Sequence, residues 1–450
     1  FVISHIYGVY DPMHTRPPRA ALVTLGCPMN QVDSERIMGG LVSLGFKLVS
    51  EEEADIIVVN TCGFIESARE ESVDTILELA ELKKTGRAKA LVVAGCLAEL
   101  HGDELKKELE EADAVVGLSG RESIPELCLS LLGRERGGDA PYTRVVTGPR
   151  YSAYLKIAEG CNNVCSYCTI PAIRGHFRSV PPDEIVREAE ELVSLGAREL
   201  VLIGQDTTYY GTDMDDTSLP SLVERIAAID DVRWLRLMYG HPAHIDDPLI
   251  DMFRNIPKLV PYLDLPIQHI SSGVLRRMGR FTSPDDIRAL IARLRERVPG
   301  IVLRTSLIVG FPGETDRDFE ELMDFMEETR FERLGAFVYS PEEGTRAASL
   351  DGAVPEEVAQ GRYDELMRLQ ADISEEFHAS LVDREFDMIV DEIDPDSEDV
   401  FGRTCMDAPE IDGVVSVGGG VAPDAEFVRV RIIDAGTYDL VAEPVEPYVE

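Results

Sequence analysis

The sequence predicts an α/β protein in three parts: an N-terminal parallel α/β domain, a central open partial (β/α)6 barrel and a small C-terminal antiparallel β-barrel. Three observations predict it. Short apolar strands alternate with amphipathic helices through two long stretches of chain. The last stretch changes to short strands separated by turns. The 450 residues suit about three domains.

The first domain is expected over residues 19–141. ALVTL precedes a helix near 33–44, ADIIVVN a helix near 65–83, KALVVA a helix near 104–111, and AVVG closes the series. A βα repeat of this kind builds a parallel sheet covered by helices. A Gly-, Arg- and Pro-rich loop, GRERGGDAPYTRVVTGPR, follows. The second domain is expected over 147–378. Its strands are YLKIA, ELVLIGQD, WLRLMY, YLDLPIQ, IVLRTSLIVGF and RLGAFVYS, with helices such as 182–195, 283–297 and 316–329 between them. Six units leave the barrel open, since closure needs eight. The third domain, 379–448, holds EFDMIVDEID, VFGRTCMD, DGVVSV, EFVRVRIIDAG and YDLVAEPV, which read as a small barrel of the OB type.

Composition narrows the function. The net charge is -39, from 44 Lys and Arg against 83 Asp and Glu. Such a surface repels phosphate backbones and attracts basic partners. A uniformly acidic proteome, as in salt-adapted cells, would produce the same sign. No apolar run reaches the roughly 18 residues of a membrane helix. The start, FVISHIYGVYDPMHTRPPRA, lacks the basic head and apolar core of a signal peptide, and Met13 is a candidate first residue. The expected location is cytoplasmic, with no membrane partner. Eight cysteines in such a chain point to metal or redox chemistry and not to a disulfide framework.

Six of them fall into two sets. Cys161, Cys165 and Cys168 form CNNVCSYC directly after the first barrel strand. Three close thiolates on one loop can hold three irons of a cubane and leave the fourth open. A zinc knuckle is the alternative, but zinc sites usually pair CxxC with another CxxC or a His pair, and only His176 is near. Cys27, Cys62 and Cys96 lie in LGCPMNQ, NTCGF and AGCLAE, each just past an apolar strand. They are one βα unit apart, so a parallel sheet places all three on one edge, where open α/β sheets bind ligands. Here too, three ligands leave one iron open, for a sulfur species or substrate. Cys128 and Cys405 read as buried structural thiols.

The loop CNNVCSYC, with an aromatic residue before its third cysteine, resembles the radical S-adenosylmethionine (SAM) superfamily. The resemblance implies that Tyr167 lies near the SAM adenine and that Gln205 and Asp206, ending LVLIGQD, contact the SAM amino group. It also implies that SLIVGFPGE, which contains Gly310, is the glycine motif beside SAM. The whole pattern, an N-terminal cysteine trio, a CxxxCxxC barrel and a small terminal barrel, resembles the radical SAM methylthiotransferases, whose terminal barrel is a TRAM domain.

That family implies two [4Fe-4S] clusters, one on each cysteine trio, with SAM as both radical source and methyl donor. A 5′-deoxyadenosyl radical takes hydrogen from an unactivated carbon, sulfur carried at the other cluster attacks it, and a second SAM methylates the sulfur. No protein acid or base is implied for the C–H step. GQDTTYYG and YLDLPIQH are similar to the RimO type, which modifies the β-carbon of an aspartate in the small-subunit ribosomal protein number twelve. The tRNA adenosine type differs at both places. Residues 381–450 carry four Arg, no Lys and nineteen Asp and Glu, the wrong sign for gripping RNA and the right one for a basic protein. The expected partners are that basic protein and a low-potential electron donor such as a flavodoxin, with tRNA disfavoured and a monomer as the default. A non-catalytic iron–sulfur electron carrier is the distant alternative.

Arg233, just before WLRLMY, and Arg236 and Tyr239 within it are candidates to face the barrel mouth, where Arg could hold a substrate carboxylate; an internal salt bridge is the other reading. Trp234 is expected on the outer, helix-covered face, His269 as a strand cap or supporting contact, and the helix over 361–378 as a brace between the two barrels.

Overall fold

The computed structural model describes residues 16–136 and 142–445, so the candidate start at Met13 lies outside the described residues. The N-terminal compact unit runs to Thr147 and includes Thr169–Gly175, while Gly148–Cys168 and His176 onward make the second.

In the first unit, β1 (Arg19–Thr24), β2 (Lys47–Leu48), β3 (Ile56–Thr61), β4 (Ala90–Gly95) and β5 (Ala114–Val116) form one sheet in the order β2-β1-β3-β4-β5. All its pairings are parallel. Every residue of β3 and β4 is buried, as expected of central strands covered on both faces. Alternation along β3 then divides the core. Ile56 and Val58 face α1 (Pro28–Ser43) and α4 (Ile124–Leu131), while Ile57 and Val59 face α2 (Glu66–Thr85) and α3 (Cys96–Glu108). Cys128 lies in the first of these clusters at 0% exposure, and burial pushes its thiol up to about 12, so it is the structural thiol expected. Three helices depart from expectation: α1 begins at Pro28, not near residue 33, and α4 was not anticipated. α3 starts at Cys96 itself, not near residue 104, because Leu97 and Ala98 already pack on the sheet; a kink at His101 separates this first turn from the rest. The short α5 (Ile170–Arg174) also belongs to this unit.

The second unit opens with β6 (Ser152–Lys156) and a two-stranded ribbon, β7 (Ala158–Glu159) with β8 (Arg178–Ser179). Then come α6 (Pro182–Ser194), β9 (Glu199–Ile203), α7 (Leu219–Ala227), β10 (Trp234–Leu237), α8 (Asp247–Asn255) and β11 (Leu259–Asp264). They are followed by α9 (Ser272–Arg277), α10 (Pro284–Arg297), β12 (Val302–Val309), α11 (Asp316–Thr329) and β13 (Arg333–Val338). Six strands pair in parallel in sequential order, β6-β9-β10-β11-β12-β13, so both edges stay open. β11 begins earlier than its apolar run suggests and stops at Asp264. Pro266 cannot donate to a ladder, and the chain touches β12 again through one bridge, Gln268 to Leu307.

The long α12 (Glu356–Ala379) leads to β14 (Glu385–Ile393), β15 (Val400–Thr404), β16 (Val415–Val417), β17 (Phe427–Ala435) and β18 (Leu440–Pro444), which close into a barrel. Its pairs are antiparallel except β16 with β18. α12 is the expected brace. It touches the segment leading into β13 through Gln370 Nε2, which donates to Phe331 O at 3.1 Å, and the terminal barrel through Ser374 Oγ, which donates to Thr437 O at 2.6 Å. Trp234 is a correction. It meets Phe427 of the terminal barrel edge to face at 4.9 Å, with Arg233 over the same ring.

A buried ionic network joins the two barrels. Glu199 Oε1 accepts from Arg236 Nε at 2.9 Å, and its Oε2 accepts from Arg403 Nη2 at 2.8 Å. Arg333 donates to Asp407 Oδ1 at 2.6 Å, and Tyr262 Oη donates to Asp412 Oδ2 at 2.6 Å. Residues 403–412 of the terminal barrel therefore meet the inner side of the sheet. Arg236 is fully buried and also donates to Cys405 O, so the internal salt bridge, not the substrate grip, is its observed role.

Burial alone would raise Glu199, but Arg403 and Arg236 outweigh it and hold the carboxyl down from 4.5 to about 2. A folded pKa below the unfolded one means that this pairing stabilises fully above the ordinary glutamate range. That stability is lost as pH falls from 4.5 towards about 2. Glu199→Ala would leave two buried guanidiniums short of a counter-charge, at an expected cost of about 3–5 kcal/mol. Denaturant unfolding of the full chain checks this, and a loss below about 1 kcal/mol would show that the network does not hold the barrels together.

Candidate metal centres

Both cysteine trios stand where parallel strands end. β1, β3 and β4 are neighbours in their sheet, and Cys27, Cys62 and Cys96 follow their C-terminal ends. Cys27 caps α1 and Cys96 opens α3. The sulfurs are close enough to feel one another. Burial is the main cause of the raised thiol pKa of Cys62 and of Cys96, the latter pushed up to about 12, and neighbouring cysteines add to both. The strand spacing in the sequence thus sets these three at neighbouring strand ends.

The packing suits a bound cluster. Gly26 has φ +92°, and a Cβ there would come within 2.9 Å of Cys62 Cβ and 3.0 Å of its sulfur, so only glycine lets the Cys27 turn approach. Among the described residues, no three His, Cys, Asp or Glu side chains are arranged around a single ion. A cubane asks each thiolate to reach a different iron, and three soft thiol donors fit it.

Cys161, Cys165 and Cys168 sit on the loop after β6 and β7. Ser166 anchors this loop, its N–H donating to Met278 O at 2.7 Å and its hydroxyl to Arg277 O at 2.8 Å. Arg346 donates to Val164 O. The backbone N–H of Asn163 points at Cys161 Sγ, 3.4 Å away, and Arg280 Nη1 lies 3.8 Å from Cys165 Sγ. Such donors stabilise ligating sulfur. His176 is exposed and faces Asn162 Oδ1 at 3.3 Å, so it does not complete a zinc set.

The four residues expected near SAM are distributed as follows. Tyr167 packs edge-on against Phe311 with ring centres 6.3 Å apart, which joins the cysteine loop to the glycine motif. Gly310 has φ +72° and runs against α12, where an added Cβ would lie 2.4 Å from that of Ala359. Asp206 is 2% exposed. It accepts from Asn163 Nδ2 at 2.7 Å and Thr208 Oγ1 at 2.7 Å, and lies 2.8 Å from His244 Nδ1. Burial pushes its carboxyl up, but the bonds from His244, Thr208 and Asn163 prevail and leave it below the usual range. Gln205 Oε1, beside it in the chain, is buried and has no hydrogen-bond partner among the described residues. A buried acceptor without a donor suits a ligand ammonium. A cavity of about 200 Å³ opens at this strand end, lined by Asn162, Asn163, Phe177, Asp206, Tyr209 and His244.

Asn163, His244 and Arg280 were not legible as site residues, nor were Asn30 and Arg174, which lie 3.3 and 3.6 Å from Cys96 Sγ. Each acts through a partner distant in sequence, and none has a periodic or spaced signature. Arg174 offered the best hint, a lone basic residue six positions after Cys168 in CTIPAIR.

Comparison with known proteins agrees with this division. Residues 19–117 match the Uncharacterized protein family UPF0004, residues 155–326 the Radical SAM superfamily and residues 382–445 the TRAM domain. Among solved structures, the radical SAM methyltransferase TsrM from Kitasatospora setae, with cobalamin and a [4Fe-4S] cluster bound, shares the fold at a TM-score of 0.51. Identity there is 16%, over 72% of this chain and 77% of that one. Curated relatives are much nearer. The chain is 47% identical to the ribosomal protein uS12 methylthiotransferase RimO of Trichlorobacter lovleyi, over 95% of this chain and 98% of that protein. It is 46% identical to the RimO of Geobacter sulfurreducens, over 96% and 99%, and 44% identical to that of Myxococcus xanthus, over 96% and 93%. With both cysteine trios at strand ends, a radical SAM core, a TRAM barrel and relatives this similar over nearly their whole length, the chain is a radical SAM enzyme and belongs to the RimO family of methylthiotransferases.

Proposed function

We propose that this enzyme transfers a methylthio group to the β-carbon of an aspartate in ribosomal protein uS12. The observation that carries the reading is the pair of cysteine trios, each at the strand ends of its own parallel sheet. Residues 19–141 hold a [4Fe-4S] cluster on Cys27, Cys62 and Cys96, and residues 147–378 hold another on Cys161, Cys165 and Cys168. When bound, the clusters and SAM supply the one-electron chemistry, the sulfur and the methyl group. The chain's own residues position and shield. Gln205 Oε1 accepts from the SAM amino group, Asp206 adds its charge and ties down Asn163, Tyr167 lies by the adenine, and Gly310 keeps the motif after β12 close to α12.

Residues 379–448 present the substrate surface. Their arginines are engaged within the chain: Arg403 with Asp391 and with Glu199 of the central sheet, Arg429 with Asp387, Arg431 with Glu385, and Arg384 over the ring of Phe386. This leaves an acidic exterior, which suits a Lys- and Arg-rich protein and repels tRNA. No helix among the described residues is long and apolar enough to cross a membrane. A cytoplasmic monomer served by a low-potential donor such as a flavodoxin completes the proposal.

The test offers both substrates at once. Anaerobically reconstituted protein receives SAM, reductant, uS12 and tRNA, and mass spectrometry follows each. A methylthio adduct on an aspartate of uS12 is expected. An adduct on a tRNA adenosine, with none on uS12, would overturn the assignment.

A further inference from the structure

Arg174, the last residue of α5, lies in the N-terminal unit with the first cysteine trio. Its side chain is 1% exposed. One guanidinium nitrogen, Nη2, lies 3.6 Å from Cys96 Sγ and donates to Asn30 Oδ1 at 2.7 Å. The other, Nη1, donates to Asp33 Oδ2 at 3.1 Å. The orientation of the Asn30 amide is set independently. Its Nδ2 donates to the carbonyls of Leu25 and Thr61 at 2.8 and 3.0 Å, so Oδ1 has to face the other way. That oxygen lies 3.3 Å from Cys96 Sγ.

The consequence follows from elementary electrostatics. A ligating cysteine sulfur carries no proton. Cys96 as a ligand would then set one acceptor against another, its thiolate against Asn30 Oδ1, with the buried Asp33 carboxylate behind. A buried cation that donates towards both resolves the conflict, and Arg174 is placed there.

We propose that Arg174 is a positioning residue for the cluster on Cys27, Cys62 and Cys96, holding Cys96 as a ligand and raising the cluster's reduction potential. The proposal rests on the reading of that trio as a cluster site given above. A positive charge and an N–H bond at a ligand sulfur stabilise the reduced, more negative state, and hydrogen bonds to sulfur are a known lever on such potentials. Lysine would keep the charge but not the planar fork that serves Asp33, Asn30 and Cys96 together.

The experiment uses the full chain with Cys161, Cys165 and Cys168 all replaced by Ala, so that only the first trio can hold iron. The protein is reconstituted with iron and sulfide without oxygen, its iron content is measured, and its potential is followed by electron paramagnetic resonance. If this parent holds no iron, the trio reading falls and the proposal falls with it. If it holds iron, Arg174→Gln should load but show a lower midpoint potential, and Arg174→Lys should stay nearer the parent. A fully loaded Arg174→Gln with the parent's potential overturns the role of Arg174 and leaves the trio reading intact. If Arg174→Gln does not load, Arg174→Lys decides. Loading with the lysine supports a role for the charge, and failure with both overturns it in favour of packing.

Discussion

Cys165→Ala is expected to abolish both the cleavage of SAM to 5′-deoxyadenosine and the modification of uS12. The loss should exceed 100-fold, because changes merely beside a metal ligand already cost about 10–100-fold. The loop should survive the substitution. It is held by Ser166, through Met278 and Arg277, and by the Arg346 bond to Val164, none of which uses the Cys165 side chain. What disappears is one of the three proposed ligands, the sulfur next to Arg280. Chromatography of the deoxyadenosine product checks this directly. Continued cleavage at the parental rate would mean that SAM is not bound and cleaved at Cys161, Cys165 and Cys168.

Cys62→Ala should have an effect as large but on one half of the reaction. Deoxyadenosine should still form, and the methylthio product should fall below detection. The backbone at Cys62 is held by Ser72, which receives from its N–H at 3.1 Å and donates to its carbonyl at 2.9 Å, so alanine preserves the local chain. The substitution removes a sulfur from the first trio and nothing from the SAM loop. Two readouts in one assay are needed, deoxyadenosine by chromatography and the adduct by mass spectrometry. Thiolation that persisted in this variant would separate the first trio from sulfur handling. Loss of both products would mean that the trio serves SAM cleavage as well.

Cys161, Cys165 and Cys168 stood out by their close spacing on one loop, and Cys27, Cys62 and Cys96 by chain geometry. Parallel strands joined by helices return to one edge at regular intervals, and cysteines just past three successive major strands have to meet there. The same logic placed Gln205 and Asp206 at the end of β9. It could not distinguish them. Only the structure shows that Asp206 is held by Asn163 and Thr208 with His244 beside it, while Gln205 Oε1 is the buried acceptor that lacks a donor. Arg236 shows the reverse limit. It is inward as expected, but whether an inward arginine meets substrate or a carboxylate depends on Glu199 and on the terminal barrel's Cys405 carbonyl, 169 residues away.

By itself, the sequence determined the class of the fold, the two cysteine trios and the acidic sign of the terminal barrel. These are properties of periodicity, spacing and composition, which are local or additive along the chain. The tertiary structure decided which charges are consumed internally and which donors point at sulfur. Arg403 and Arg236 converge on Glu199, Trp234 meets Phe427, and Arg174 reaches Cys96. Each is a pairing between distant segments, and pairwise electrostatics depends on separation in space, which no one-dimensional pattern encodes.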